Sequence, residues 1–343
     1  MRAIEVSGSS REMGERFGES YKEEIAELYD LRVTNAIRDA LRFGGRSVDE
    51  KDLLTLAIKC HEISQSFDET GVDEQVGIAR GSNLTIAQIT ALGGLTDLRD
   101  VLSWAGPMER DGGCTGIIRS GSEMQIGQTW DLASDNMPYV IYVHRIPDEG
   151  PETWGVTTVG CLSLMGMNEH GLALSTTNLR TTDARPGVPY LNVIHRALRE
   201  TSVSSAVSVV REAPRAAAHT FLIADQDEGC IVECTATKSV VSDLEDGVLV
   251  QTNHCQVPEH QKIESTAPNE SSHVRFERMS ELVRVEDLRE ALSDTANGEL
   301  AISRHDFDGI STNAAVLMTP ATGVISIVHG PPDENSWTDM ETR

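Results

Sequence analysis

Lysine is nearly missing from this chain: five lysines, Lys22, Lys51, Lys59, Lys238 and Lys262, stand among 29 basic residues, so almost every cation is an arginine. Aromatic residues are also scarce, at 4%. With 54 acidic residues the formal net charge is -25. A surface of that sign repels nucleic acid and anionic membranes, so neither is expected as a partner. The carboxylates are scattered and not gathered into a tail, which excludes a disordered acidic segment. Much acid with little lysine resembles the composition of proteins from salt-loving organisms, a statement about habitat and not about chemistry.

Other absences narrow the class further. No run of 18 or more apolar residues occurs, so no membrane-spanning helix is expected. The first twenty residues lack an apolar segment and a small-residue cleavage site, and a cytoplasmic location is expected. Neither an internal repeat nor a low-complexity tract is present. The six cysteines, Cys60, Cys114, Cys161, Cys230, Cys234 and Cys255, are expected as reduced thiols in a long chain without a leader. Cys230 and Cys234 are four apart, with no second Cys or His pair at zinc-finger spacing, so no metal and no cofactor is expected.

What is present divides near residue 110. Residues 10–105 carry apolar side chains at three- and four-residue spacing and predict helices. Ser47 with Glu50, and Thr85 with Gln88, have capping-box spacing at the starts of two of them. After residue 113 short alternating segments predict strands, starting with a strand–turn–strand over 114–131. Helices are predicted over roughly 189–213 and 273–296, and the tail 331–343 is expected to be mobile. Strands before, between and after two helices predict an α+β fold with helices packed outside sheets. With 39% hydrophobic residues the chain has ample material for such a core.

The chemistry concentrates at Arg110-Asp111-Gly112-Gly113-Cys114-Thr115-Gly116, where helix gives way to strand. Two glycines allow a strained or tight backbone, and a thiol follows at once. Attack of the Cys114 thiolate on the Gly113 carbonyl would turn an amide into a thioester that water can hydrolyse. The new N-terminal Cys114 would then hold a nucleophile and, in its α-amino group, a base with an ordinary pKa near 8. Read alone, Gly-Gly-Cys is equally a small apolar residue after a turn. The strand–turn–strand, however, returns Asp131, seventeen residues on, close to Cys114, where a carboxylate can hold an ammonium.

Five segments in order resemble the penicillin acyltransferase family (acyl-coenzyme A:6-aminopenicillanic acid acyltransferase-like) of cysteine Ntn hydrolases. These are Gly113-Cys114-Thr115, Gln128-Thr129-Trp130-Asp131, Gly166-Met167-Asn168-Glu169-His170-Gly171-Leu172, Thr252-Asn253-His254 and Ser272-His273-Val274-Arg275-Phe276-Glu277-Arg278. Conjugated bile acid hydrolase and penicillin V acylase are more distant relatives. The departure is Thr129 where the family has Asn, a position expected to vary with substrate contacts.

The resemblance implies a four-layer αββα Ntn sandwich and self-cleavage between Gly113 and Cys114. A mainly helical part, 1–113, would stay bound to the catalytic part, 114–343, as its partner. It implies Cys114 as nucleophile, Asp131 at its freed amine, Asn253 as oxyanion donor, Asn178 as a second site asparagine and Arg275 as the site arginine. For Asn178 a strand-end turn is an equal reading, and for Arg275 and Arg278 a surface place on a helix. The implied reaction is hydrolysis of small acyl amides, with acyl-CoA-dependent N-acyl transfer as the alternative. The acidic chain shows no basic cluster for coenzyme A phosphates, which favours hydrolysis. Two further readings are a non-catalytic binding protein, which would be expected to lose Cys114 or Asp131, and a Cys-His-Asp thiol enzyme, for which no one of the ten histidines stands out. A homo-oligomer is compatible with all of these.

Overall fold

The computed structural model describes residues 1–45, 47–103, 113–265 and 270–342. The chain opens with strand β1 (Arg2–Gly8), then runs through helices α1 (Ser10–Ser20), α2 (Lys22–Gly44), α3 (Glu50–Phe67), α4 (Glu69–Ser82) and α5 (Ile86–Ser103). Ser9 and Glu12 form a capping box that starts α1. The expected Thr85–Gln88 box is present, its main-chain and side-chain bonds 2.9–3.3 Å long. The Ser47 box is not. Asp49 and Asp52 satisfy each other's main-chain N–H instead and begin α3 two residues later. Glycines let α1 and α4 touch. A Cβ on Gly14 would lie 2.1 Å from the Glu74 carbonyl, and one on Gly77 2.2 Å from that of Arg11.

Strands follow: β2 (Cys114–Arg119), β3 (Gln125–Ala133), β4 (Val140–Pro147), β5 (Thr153–Thr158), β6 (Met165–Asn168) and β7 (Ala173–Asn178). Two helices come next, α6 (Tyr190–Ala197) and α7 (Val203–Glu212). They replace the single helix predicted over 189–213, because Ser202 caps a new start by accepting from Ser205 N–H. Then come β8 (His219–Ala224), β9 (Gly229–Cys234), β10 (Ser239–Asp243), β11 (Val248–Gln251) and α8 (Pro258–Gln261). The helix predicted over 273–296 is likewise two, α9 (Glu270–Leu282) and α10 (Leu288–Leu292), the second begun by an Asp287 cap. The chain ends in β12 (Ile310–Thr319), β13 (Val324–His329) and β14 (Thr338–Glu341). The tail expected to be mobile thus holds a strand, β14, laddered to β13.

One sheet has the order β1-β4-β5-β6-β7-β8-β9-β10, and the other β11-β2-β3-β12-β13-β14. β2 and β3 pack face to face on β7 and β8. Helices α6 and α7 cover the outer face of the first sheet, and α9 and α10 that of the second. This is the four-layer αββα sandwich. Strands buried on both faces lose their polar alternation, which is why β2, β8 and β9 are almost wholly buried. The expected strand–turn–strand over 114–131 is the β2–β3 pair, with Cys114 opposite Trp130. β1 adds a parallel strand at the edge of β4, so the N-terminal part shares the first sheet. All six thiols are free and buried. No helix among the described residues is long and apolar enough to cross a membrane.

Candidate active site

Cys114 begins β2 at the sandwich's open end, 7% exposed. Main-chain N–H groups of Asn178 and Asp131 point at its sulfur, while burial, followed by the charge of Asp131, pushes the thiol up to about 12. Cys114 in the unbroken chain is therefore a resting thiol, and its reactivity depends on a base.

The peptide group ahead of Cys114 is gripped at both ends. The Gly113 carbonyl accepts from Asp131 N–H at 2.6 Å, and Cys114 N–H donates to Asn253 Oδ1 at 2.7 Å. Gly113 leaves no room for a side chain: a Cβ would sit 2.6 Å from Arg275 Nη2. Residues 110–112 of that motif lie outside the described residues.

Arg275, on α9, is 1% exposed and fills the centre of the site, not the helix surface. It donates to the Cys114 carbonyl, to Thr115 Oγ1 at 3.0 Å and to Asn253 Oδ1 at 2.9 Å. Burial lowers its pKa to about 10 despite the opposing pull of Asp131. Arg278 does lie nearer the surface, paired with Asp294 at 2.6 Å. Two donors converge on Asn253 Oδ1, which fixes the orientation of the amide. Its Nδ2 donates to the Asn178 carbonyl at 2.9 Å.

Asp131 Oδ1 accepts from Thr312 Oγ1 at 2.7 Å, and Oδ2 lies 3.9 Å from Arg304 Nη1. Burial raises its pKa against the pull of Arg304 and Arg275. Thr312 and Arg304 were not legible: each is a single residue far along the chain, and no spacing marks it. All five residues expected at the site, Cys114, Asp131, Asn178, Asn253 and Arg275, are brought together.

A cavity of about 60 Å³ opens on Cys114, walled by Trp130, Asp131, Thr176, Asn178, Tyr190, His219 and Asn253 among others. A second, of about 120 Å³, shares Thr96, Arg99, Trp130, Leu132 and Tyr190 with it. Arg32 also lines the second cavity and donates to neutral acceptors, Asn136 Oδ1, the Leu92 carbonyl, Cys161 sulfur and Thr158 Oγ1. Arg99, shared by both cavities, is paired with Asp100 at 3.3 Å. Thr129, where the chain departs from the family pattern, is fully buried on β3, opposite Thr115. His254 lies past the end of β11 and not on a strand. It stacks on His273 at 4.0 Å and is bonded to Ser272 Oγ at 2.8 Å. The Gly166–Leu172 segment is structural: Asn168 Oδ1 accepts from the His170 and Leu172 N–H groups, and its Nδ2 donates to the carbonyls of Leu198 and Glu200.

No curated protein matches this chain in sequence. Among solved structures, a single-residue variant of conjugated bile acid hydrolase from Clostridium perfringens is similar with a TM-score of 0.45 at 14% identity. The match covers 66% of this chain and 92% of that one. Penicillin V acylase from Agrobacterium tumefaciens gives a TM-score of 0.41 at 14% identity, covering 66% and 86%. The model of the family described as acyl-coenzyme A:6-aminopenicillanic acid acyl-transferase matches residues 119–334. That span is more than half of the chain, and the protein belongs to this family.

Proposed function

We propose that the chain cuts itself between Gly113 and Cys114 and then hydrolyses small acyl amides through a Cys114 thioester. The parts 1–113 and 114–343 stay associated. The observation that carries this reading is the double grip on the Gly113–Cys114 peptide beside a buried thiol. Asp131 N–H already donates to the oxygen that becomes an oxyanion when sulfur attacks Gly113, and a preformed donor there is worth several kcal/mol. Once the peptide is cut, the nitrogen at Asn253 becomes an amine, able to take the thiol proton. Asp131 supplies the counter-charge for its ammonium. In turnover the Asn253 side-chain NH₂ donates to the substrate oxyanion, and Asn178 shapes the pocket wall. Arg275 holds the Cys114 carbonyl and balances Asp131.

The acyl group leaves to water, with no metal or cofactor in the reaction. Transfer from an acyl-CoA to an amine is the second reading. The Arg32 guanidinium on the wall of the second cavity favours a substrate with an anionic portion. The working location is the cytoplasm. Intact mass and N-terminal sequencing after incubation in concentrated salt test the proposal. Wild type should give fragments 1–113 and 114–343, and Cys114→Ala a single full-length chain. A wild-type chain that stays whole ends the self-processing reading. Iodoacetamide should label Cys114 first once the chain is cut. Before cutting, the Cys60, Cys230 and Cys234 thiols, pushed up to about 11, 12 and 12 by burial, are no less acidic than it.

A further inference from the structure

Self-processing, as read above, leaves one proton without an acceptor. In the cut enzyme the amine of Cys114 takes it. In the unbroken chain that nitrogen is an amide, its lone pair delocalised and its N–H donated to Asn253 Oδ1. A buried thiol held far above neutrality must therefore lose its proton to another group.

Two groups on the cavity wall could accept it, Asp131 and His219. Asp131 is the poorer base. It is the counter-charge for Arg304 and Arg275, and protonating it would leave two buried guanidiniums without one.

His219 is placed differently. It sits on β8 directly across from Asn178 on β7, and the Asn178 N–H points at the Cys114 sulfur. Residues opposite each other on an antiparallel pair project to the same face, and both line the Cys114 cavity. His219 Nε2–H donates to Asp97 Oδ1 at 2.7 Å. The other Asp97 oxygen accepts from Tyr190 N–H at 2.7 Å, and the Tyr190 ring stacks on His219 at 4.4 Å and 12°. With Nε2 carrying the hydrogen, the neutral ring has its lone pair at Nδ1. Nδ1 is buried and has no hydrogen-bond partner among the described residues. Leaving a buried acceptor unmatched costs about 1–3 kcal/mol. Here it leaves a lone pair without a partner on a residue that lines the cavity holding the thiol.

We propose that His219, oriented by Asp97, accepts the Cys114 thiol proton in the unbroken chain through one bridging water. The cavity of about 60 Å³ exceeds the roughly 30 Å³ that a water occupies in the liquid. The proposal rests on the self-processing reading. The water hands a proton to Nδ1 as it takes the one from sulfur. Sulfur attacks the Gly113 carbonyl carbon, whose oxygen is held by Asp131 N–H. The C–N bond then breaks, and the imidazolium returns its proton, through the same water, to the leaving nitrogen of Cys114. A thioester and a free amine result. A second water adds to the thioester carbon, the C–S bond breaks, sulfur regains a proton, and Gly113 leaves as a carboxylic acid that ionises. One water is consumed, and nothing is oxidised or reduced. The titratable and charged groups facing His219 are Asp97 and Arg99 from α5, Tyr190 from α6, Cys114 from β2 and Asp131 from β3.

The test is His219→Ala, purified and followed by intact mass. It should fold, accumulate as the whole chain and cleave roughly a hundredfold or more slowly. Added imidazole should restart cleavage before Cys114, faster as the free-base concentration rises and, among substituted imidazoles, as basicity rises. A structural role would not follow basicity. Cleavage of His219→Ala at the wild-type rate overturns the proposal. So does a folded His219→Ala that stays whole in imidazole. If that variant does not fold, Asp97→Asn decides. It keeps the ring but disturbs its tautomer, and should slow cleavage and move its pH dependence. Wild-type rate and profile in Asp97→Asn overturn the proposal. Failure here with a normally cleaving wild type removes only the His219 role. A wild type that never cleaves removes the processing reading as well.

Discussion

Two buried histidines pair with carboxylates from the N-terminal helices, and only one of them faces the chemistry. His195 Nε2 lies 3.3 Å from Glu74 Oε2, and its Nδ1 is bonded to Ser163 Oγ at 3.1 Å. As a Ser-His-Glu arrangement this looks more like a catalytic triad than anything at Cys114. Yet Arg145 holds the other Glu74 oxygen at 2.8 Å, and Ser163, His195 and Glu74 line neither cavity at Cys114. His219 has the same kind of carboxylate partner, but its second ring nitrogen is unmatched, and the residue lines the cavity that holds the thiol. Pair geometry alone does not mark a site; a place on the cavity that holds Cys114 separates His219 from His195. The closed cluster should therefore answer to stability measurements and the open site to rate measurements.

The largest expected effect is at the closed cluster. Burial works against the Glu74 charge, but Arg145 and then His195 outweigh it and hold the carboxyl down to about 2. A depressed carboxylate contributes stability above its ordinary value of 4.5 and loses it as pH falls toward 2. Burial lowers the His195 pKa despite Glu74, so its contribution likewise fades as pH falls below 6.5. Glu74→Gln should cost about 3–5 kcal/mol in denaturant unfolding, because Arg145 is left buried and unpaired. It should also flatten the loss of stability between pH 4.5 and 2. A variant as stable as wild type would mean the cluster is not a structural tie.

At the open site, Asn253→Ala should lower kcat about a hundred- to a thousandfold with little change in KM, measured on chains already cut. If only KM moves, Asn253 binds substrate and the oxyanion donor is a main-chain N–H or Asn178. The smallest effect is expected from Ser163→Ala, about 1 kcal/mol of stability with turnover unchanged. Loss of turnover there would erase the distinction between the two histidines.

The succession of strands along the chain after residue 113, and the return of Asp131 to Cys114, were legible because strand period and a short turn are local signals. Arg275 and Asn253 came from the resemblance, since nothing near them in sequence points to Cys114. Asp97, His219, Thr312 and Arg304 escaped because each works through a partner about 120 or more residues away. β1 escaped because seven residues of mixed pattern announce a strand only beside the β4 edge they cover. A pattern can also mislead: the Gly166–Leu172 segment is the most motif-like after Cys114, and it holds a turn.

The placement of β1 bears on which strand forms the margin of the first sheet. Parallel pairing of Arg2–Gly8 with Val140–Pro147 covers one margin of an eight-stranded sheet. Without those residues β4 would offer a row of open N–H and C=O groups to any passing strand, including the same strand of another copy. The segment ahead of Cys114 is thus built into the first sheet by main-chain bonds, and the outer margin of that sheet passes from β4 to β1.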